Sequence, residues 1–408
     1  MKGANESRKP RLTIACENYW PEVASTAQLI TELAEGLTSD FAVEVLTTQP
    51  RYHGRYSRHP RRENRNNVTI RRLVCSRFPK SSRVGRLVNW LTFLLSLCLA
   101  VATRWRRRTY LFVTNPPTAP WSAVISRALR QRSYVLVYDL YPDLAEAVGA
   151  VARGGALARA FDAVNRFSFR RADGLIAVGH DMKARLREKC GEAVAVHLIP
   201  NWADPDLVSP RDKASSGFAR RHGLVDRFVF LYAGNLGLFQ DLETLVHAVH
   251  SLDGGGEDAI LIFVGDGGKR KTLEGIARQS DRVRVFDYVP YEELGDLYAA
   301  ADVGLIALEP GVERTNVPSK TYSIMAAGIP FLAVASASSD LDALADRGCG
   351  VVADNEPSSV AASMLRFLRE REQVAAAGQR ARQVFLENYT KQAIIDRYRQ
   401  LLSQGGSK

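Results

Sequence analysis

Acidic side chains are nearly missing from one stretch of this 408-residue chain. Residues 51–108 carry 16 Lys and Arg against a single acid, Glu63. The imbalance is local. Residues 1–200 hold 32 basic and 16 acidic side chains, net +16; residues 201–408 hold 23 and 28, net −5; together they give the chain's +11. A field of that sign draws nucleic acid, an anionic membrane or a phosphorylated substrate. The basic residues are not interleaved with stacking aromatics, so nucleic acid is not the expected partner. An anionic membrane surface is.

Other absences narrow the class further. The five cysteines (Cys16, Cys75, Cys98, Cys190, Cys349) form no CxxC pair and no metal spacing, which suits a reducing cytoplasm. His247 and His250 stand three residues apart with no third ligand nearby, so no metal site is expected. The N-terminal MKGANESRKPRLTIACE lacks a secretory apolar core, and no signal peptide is expected. The first β-α turn has no GxGxxG, which argues against a nicotinamide dehydrogenase. A full membrane span is also short of material. Leu87–Thr103 runs 17 residues without charge, whereas a span needs about 20. Arginines flank it on both sides (Arg83 and Arg86; Arg104, Arg106, Arg107 and Arg108), and the positive-inside bias wants asymmetry. The expectation is a membrane-contact helix within 84–108, lying in the headgroup layer with its arginines on anionic lipid. A buried core helix and a true span are the alternatives. The expected location is cytoplasmic, peripheral on the inner face of the plasma membrane.

What is present is a repeated strand-helix alternation. Leu12–Cys16, a helical stretch at Ser25–Leu37 and Ala42–Thr47 open a parallel, doubly wound sheet. Arg51–Asn67 reads as a polar loop. A second series of strands begins at Phe228, after a polar linker at Pro205–Asp226. This predicts α/β architecture with domains at 1–205 and 206–385. A C-terminal helix at 386–408 is expected to pack back towards the first domain. Two such sheets in series imply a cleft, with ligands at the C-terminal ends of the strands.

The chain is organised around VPSKTYSIMAAGIP, Val317–Pro330. It reads as a turn through Pro318 and Ser319, a helix at Lys320–Ala327 and a Gly-Ile-Pro stop. Ser319 can cap that helix while its first N–H groups and the Lys320 ammonium form an anion site. Three further loops follow strands. Ala233-Gly234-Asn235-Leu236-Gly237 and Gly265-Asp266-Gly267-Gly268 let backbone approach a ligand closely, and Tyr288-Val289-Pro290 comes third. Upstream stand ENYWPEVASTAQLITELAEGL, DLYPD at Asp139–Asp143 and IPNWADPD at Ile199–Asp206.

In this order the motifs resemble the retaining glycosyltransferases of family 4, in the branch that builds bacterial exopolysaccharide and O-antigen on lipid-linked sugars. The resemblance covers nearly the whole chain. It implies the GT-B fold, with two Rossmann-like sheets facing a cleft, a nucleotide-diphosphate sugar as donor substrate, a lipid-linked saccharide acceptor, and neither cofactor nor metal. It places Gly234, Asn235, Gly237 and Gln240 towards the donor diphosphate. Gly265, Asp266 and Gly267 would line the nucleoside, and Val289 and Pro290 the base. Pro318, Ser319, Lys320 and Ser323 would take the diphosphate. Tyr19, Ser25, Thr26 and Asp143 would receive the acceptor, and Asp139 would contact its hydroxyl or the reaction centre, so that Asp139 and Lys320 are the catalytic candidates.

The chain departs from that family at three places. The two acids seven residues apart that lead into MAxG are replaced by Thr315 and Ser323. The basic pair after the first strand of the second domain becomes Asn235 and Gln240, so Lys320, with Lys269 or Arg270, is expected to supply the charge. The first loop has Ala24-Ser25 in place of Gly-Gly. Two other functions stay open: a nucleotide-sugar epimerase of the same fold, which would isomerise a donor without acceptor, and a non-catalytic scaffold, which would bind donor without turnover.

Overall fold

The computed structural model describes residues 9–22, 24–52, 55–56, 58–79, 82–104, 106–252, 258–313, 315, 318–336 and 339–404. The chain divides into two compact units, residues 1–200 with 395–408, and residues 201–394.

Unit 1 is built on an eight-stranded sheet. Its strands are β1 (Arg11–Ala15), β2 (Ala42–Thr47), β5 (Arg62–Arg65), β6 (Val68–Arg72), β7 (Thr109–Val113), β8 (Arg132–Val137), β9 (Gly174–Ala177) and β10 (Val196–Leu198), in the order β10-β9-β8-β7-β1-β2-β6-β5. All pairs are parallel except the edge pair β5–β6. The stretch expected as a loop at 51–67 therefore holds a strand, β5, and a two-stranded hairpin of β3 (Arg51–Tyr52) and β4 (Arg55–Tyr56). Alternating exposure along β5 is what one-sided packing at a sheet edge produces, and the polar RENR sequence hid it. The strand order reverses between β1 and β7, the switch point where ligands gather outside the strand ends.

Unit 2 carries a six-stranded, all-parallel sheet of β11 (Phe228–Ala233), β12 (Ala259–Val264), β13 (Val283–Phe286), β14 (Val303–Ala307), β15 (Phe331–Val334) and β16 (Gly350–Ala353). The order is β13-β12-β11-β14-β15-β16. FVFLYA and AILIFV are apolar throughout because these strands are covered on both faces. The switch point lies between β11 and β14.

The boundary between units falls at residue 200, ahead of the expected linker. Residues 206–226 belong to unit 2 and are tied down there. The Asp296 carboxylate accepts from Gly217 and Phe218 N–H at 2.8 Å each, at the start of helix Gly217–Arg221, and Lys213 ion-pairs Asp302. At the other end, residues 395–408 belong to unit 1, where the Tyr134 hydroxyl donates to Leu401 O at 3.4 Å and Arg399 pairs with Asp40.

The apolar run forms helix Arg83–Ala102, capped by the Ser82 hydroxyl accepting from Gly85 N–H. Phe93, Leu97 and Val101 are buried, while Val84, Leu87, Leu91, Leu95 and Leu99 form an exposed stripe, Val84 at 71% and Leu95 at 69%. One face packs and the other is bare. The sequence reading put all of the following arginines on lipid, and two of them are instead paired within the fold. Arg104 and Arg108 both bind the Glu44 carboxylate at 3.0 Å, and Arg108 also donates to the Thr13 hydroxyl at 2.9 Å. Two partly buried guanidiniums on one carboxylate hold Glu44 below the usual carboxylate range against the opposing effect of its burial. Arg106 and Arg107 are the exposed pair.

Candidate active site

In unit 2 the expected donor loops converge at the C-terminal ends of β11, β12 and β13. Gly234 N–H donates to Val264 O at 2.9 Å, Leu236 N–H to Asp266 O at 2.9 Å, and Gly265 N–H to Phe286 O at 3.0 Å. The glycines are needed because these loops touch backbone to backbone. A Cβ on Gly265 would lie 1.9 Å from Gly234 O, and Gly265 and Gly234 have φ of +154° and +132°. The Asp266 carboxylate accepts from Gly267 N–H at 2.8 Å, and the Tyr288 hydroxyl lies beside Asp266, which places the loop bearing Val289 and Pro290 near the same cluster. Asn235 is exposed. The Gln240 amide oxygen accepts from Gly237 N–H at 3.0 Å, so its side chain braces the loop.

Lys320 comes to this cluster from the following crossover. Its ammonium lies 3.1 Å from the centroid of the Tyr232 ring at the end of β11. A Cβ on Gly234 would sit 3.5 Å from Lys320 Nζ. No carboxylate among the described residues pairs with it, and desolvation holds its pKa well below the usual lysine range. Burial disfavours its charged form, and an anion placed beside it would favour that form again. The other expected cations are engaged. Lys269 Nζ donates to Glu243 at 2.6 Å, to Glu309 at 2.7 Å and to Gln240 O at 2.7 Å; Arg270 binds Glu274 and Asp287 at 2.7 Å each. The carboxylates of Asp241, Glu243 and Glu309 converge closely enough to hold a cation, but the Lys269 ammonium and an Asn355 amide donating to Asp241 at 2.8 Å occupy them.

Ser319 differs from expectation. It is in helical conformation with no side-chain cap bond, so helix Lys320–Ala326 is entered through a turn in which Thr321 N–H donates to Pro318 O and Tyr322 N–H to Ser319 O, both at 3.2 Å. A residue already helical cannot fold its hydroxyl back over the first turn. Thr315 is buried and donates to Val312 O at 2.9 Å, while Ser323 hydrogen-bonds the Tyr298 hydroxyl. Val317 lies outside the described residues.

In unit 1 a cavity of about 160 Å³ opens at the β1/β7 switch point. Glu17 and Asn18 reach it from the loop after β1, Thr114 and Asn115 from after β7, Asp139 and Tyr141 from after β8, and Arg86, Asn89 and Trp90 from helix Arg83–Ala102. The Trp90 and Tyr141 rings meet edge to face at 6.0 Å. Asp139 N–H donates to the Thr114 hydroxyl at 3.3 Å, fixing its loop. Asn89 is buried and its amide is committed to Ser76 and Phe78. Carboxylates and amides beside an aromatic face suit a polyhydroxylated ligand, since they supply both hydrogen-bond partners and a surface for C–H groups.

Of the expected acceptor residues, Asp139 alone lines this cavity. Tyr19 is 2% exposed, and burial raises its phenol well above the ordinary range. Asp143 is buried against Arg185 and Lys189, each at 2.7 Å. Tyr19 is therefore packed among Thr31, Glu35 and Arg65, and Asp143 is held in an ion-pair network. Ser25 and Thr26 sit in the first turn of helix Ser25–Gly36, Ser25 exposed, away from the cavity lining.

Two family models match the chain in tandem: a glycosyl transferase 4-like domain over residues 26–202 and glycosyl transferases group 1 over residues 218–384. The chain belongs to the family 4, group 1 glycosyltransferases. Among relatives of this glycosyltransferase, WbjE of Pseudomonas aeruginosa, itself named as a glycosyltransferase, is 29% identical over 81% of this chain and 85% of its own. WcaI of Escherichia coli strain K12, named for colanic acid biosynthesis, is 25% identical over 85% of this chain and 88% of its own. Solved structures share the GT-B fold. Sucrose-phosphate synthase of Thermosynechococcus elongatus superposes with a TM-score of 0.78 at 18% identity, covering 97% of this chain and 99% of that one. Anabaena HepE in complex with UDP-glucose gives 0.73 at 14%, covering 97% and 99%.

For the glycosyltransferase, sequence reasoning missed Glu17, Asn18, Arg86, Trp90, Thr114 and Asn115. The Asn-Pro-Pro after β7 was a readable loop signal. Trp90 carried none, because it stands inside a run whose apolar character dominates it, and Arg86, at the edge of that run, read as a lipid-facing charge.

Proposed function

We propose that this enzyme moves a sugar from a nucleotide-diphosphate sugar to a lipid-linked saccharide, with retention of configuration and without a metal, in surface polysaccharide biosynthesis. Unit 2 takes the donor and the cavity of unit 1 takes the acceptor. The carrying observation is Lys320, a lysine lacking a carboxylate partner among the described residues, over Tyr232 and beside Gly234 at the β11/β14 switch point. A departing diphosphate gains negative charge as the glycosidic bond breaks, and a fixed cation in a partly desolvated site stabilises that charge strongly. Asp139 orients the attacking acceptor hydroxyl, and Trp90 and Arg86 hold the saccharide around it. Attack comes from the face the diphosphate leaves, so no pair of catalytic carboxylates at glycosidase spacing is required. HepE in complex with UDP-glucose and the colanic acid name of WcaI support the donor class and the pathway class.

The exposed stripe of helix Arg83–Ala102, with Arg106 and Arg107 exposed beside an acid-poor segment, supports peripheral attachment to an anionic cytoplasmic membrane face. A non-catalytic donor-binding scaffold is the second reading, favoured by Thr315 and Ser323 in the places of the family acids. The test is incubation of the purified protein with each nucleotide sugar and a lipid extract of the source organism, following nucleotide release and label in the lipid phase. Label transfer supports the enzyme. Donor binding without release in any extract supports the scaffold, and a new sugar isomer formed without lipid contradicts both.

A further inference from the structure

We propose that helix Ala156–Phe169 is a second membrane-contact element, so that unit 1 meets an anionic bilayer along a face shared with helix Arg83–Ala102. This extends the membrane reading above and rests on it. The two helices lie on one side of the sheet. The crossovers β6→β7, β7→β8 and β8→β9 all advance in the same direction along the strand order, and right-handed crossovers then place their helices on one face. Both helices pack against the turn Ala119–Ser122 and against helix Ala123–Ala128 between them.

The outer surface of the second helix is apolar where a soluble helix is normally polar. Leu157 is 72% exposed, Val164 40% and Phe167 49%, and spacings of seven and three put them on one stripe. Leu129, in the segment between the helices, is 41% exposed. The rim is basic. Arg153, Arg159, Arg166 and Arg170 are exposed around the second helix, and Arg127 and Arg130 around the middle segment. Asp162, the acid of helix Ala156–Phe169, is bound to Lys189 and Arg166. From residue 64 to residue 138 the chain has no Asp or Glu at all. An apolar stripe edged by arginines matches acyl chains beneath anionic headgroups. A second copy of the same face fits less well, because it would set like charges against each other.

The experiment is cosedimentation with phosphatidylcholine vesicles, with and without phosphatidylglycerol, at two salt concentrations. It uses the wild type, Leu157→Glu/Phe167→Glu, Leu91→Glu/Leu95→Glu and Arg159→Ser/Arg170→Ser. All these positions are on the surface, and circular dichroism verifies folding. The arginine pair keeps the test open should the Leu157/Phe167 pair misfold. The expected result is wild-type binding that needs phosphatidylglycerol. Each glutamate pair should weaken it about tenfold or more, and the arginine pair should weaken it mainly at low salt. Wild-type binding by the Leu157/Phe167 and Arg159/Arg170 variants, with loss in the Leu91/Leu95 variant, overturns the second element and leaves the first helix standing. No vesicle binding by the wild type overturns both. Loss of wild-type self-association in the Leu157/Phe167 variant, with vesicle binding intact, overturns the proposal in favour of a second copy.

Discussion

At the switch point of the second sheet, the loops after β11 and β12 touch backbone to backbone, and Gly265 has no room for a Cβ. At the switch point of the first sheet, the loops after β1, β7 and β8 surround a cavity lined by Glu17, Arg86, Trp90 and Asp139. The difference follows from what each site is proposed to bind. A diphosphate and nucleoside are common to a whole class of donors, and N–H groups held by glycine turns with one cation suffice to hold them. An acceptor saccharide is told from other saccharides by its hydroxyl pattern, which side chains must read. Rigid backbone in one unit and readable side chains in the other is the division the variants below are chosen to break.

The largest effect is expected at Lys320. Lys320→Met should lower the transfer rate by roughly 10²–10³-fold, the range for loss of a fixed group that stabilises developing charge, measured as single-turnover nucleotide release. The same variant has a pH signature. Lys320 has a folded-state pKa below that of the unfolded chain, so the unfolded state binds more protons in the interval between the two values, and stability rises with pH there. Thermal melting against pH should show that rise in the wild type, and Lys320→Met should flatten it and melt higher at neutral pH. Next comes Gly265→Ala, which should cost about 3 kcal/mol in a denaturant titration, because the new methyl meets Gly234 O. A wild-type midpoint there would mean that the two loops do not need their backbone contact.

Glu44→Ala should cost about 2 kcal/mol by leaving Arg104 and Arg108 partly buried without a counter-charge, whereas Arg107→Ala should stay within about 0.5 kcal/mol. Equal losses in the two variants would show that the arginine cluster acts as one surface patch. In the acceptor cavity, Trp90→Ala should raise the acceptor KM about tenfold, the value of one aromatic contact, with the donor KM unchanged. A change in both would remove the distinction between the sites. The smallest effect is expected at Ser319→Ala, within about 0.5 kcal/mol, since its hydroxyl caps nothing. A loss near 1 kcal/mol, typical of a true cap, would contradict the helical geometry of Ser319.

The unequal legibility of the two sites in the sequence has the same root. Gly234, Gly265, Gly267 and Lys320 are legible because backbone approach and fixed charge require particular residue types at particular spacings after strands. The cavity proposed for the acceptor is assembled from four distant segments by side chains of ordinary type, and nothing local marks Glu17 or Trp90 as neighbours of Asp139. The surroundings of Tyr19 and Asp143 were hidden for the same reason. A tyrosine in a loop and an aspartate after a proline look exposed in one dimension, and only the packed structure shows one in the core and the other between Arg185 and Lys189. Lys269 and Arg270 carried visible charge, but their carboxylate partners Glu243, Glu309 and Asp287 lie as far as forty residues away. The sheets were easier. Runs such as FVFLYA and AILIFV cannot be buried on one side alone, so their sequence implies a covered parallel sheet.

The central claim is that Lys320 completes a donor site in unit 2. It is tested most directly by thermal shift of the wild type and Lys320→Met against UDP, GDP, dTDP, ADP and CMP. A ligand that binds the native state alone raises the melting temperature by mass action. The account predicts that one nucleoside diphosphate stabilises the wild type, and that this shift is lost in Lys320→Met, although the unliganded variant melts higher. An equal shift in both proteins, or none in the wild type with any nucleotide, would contradict it.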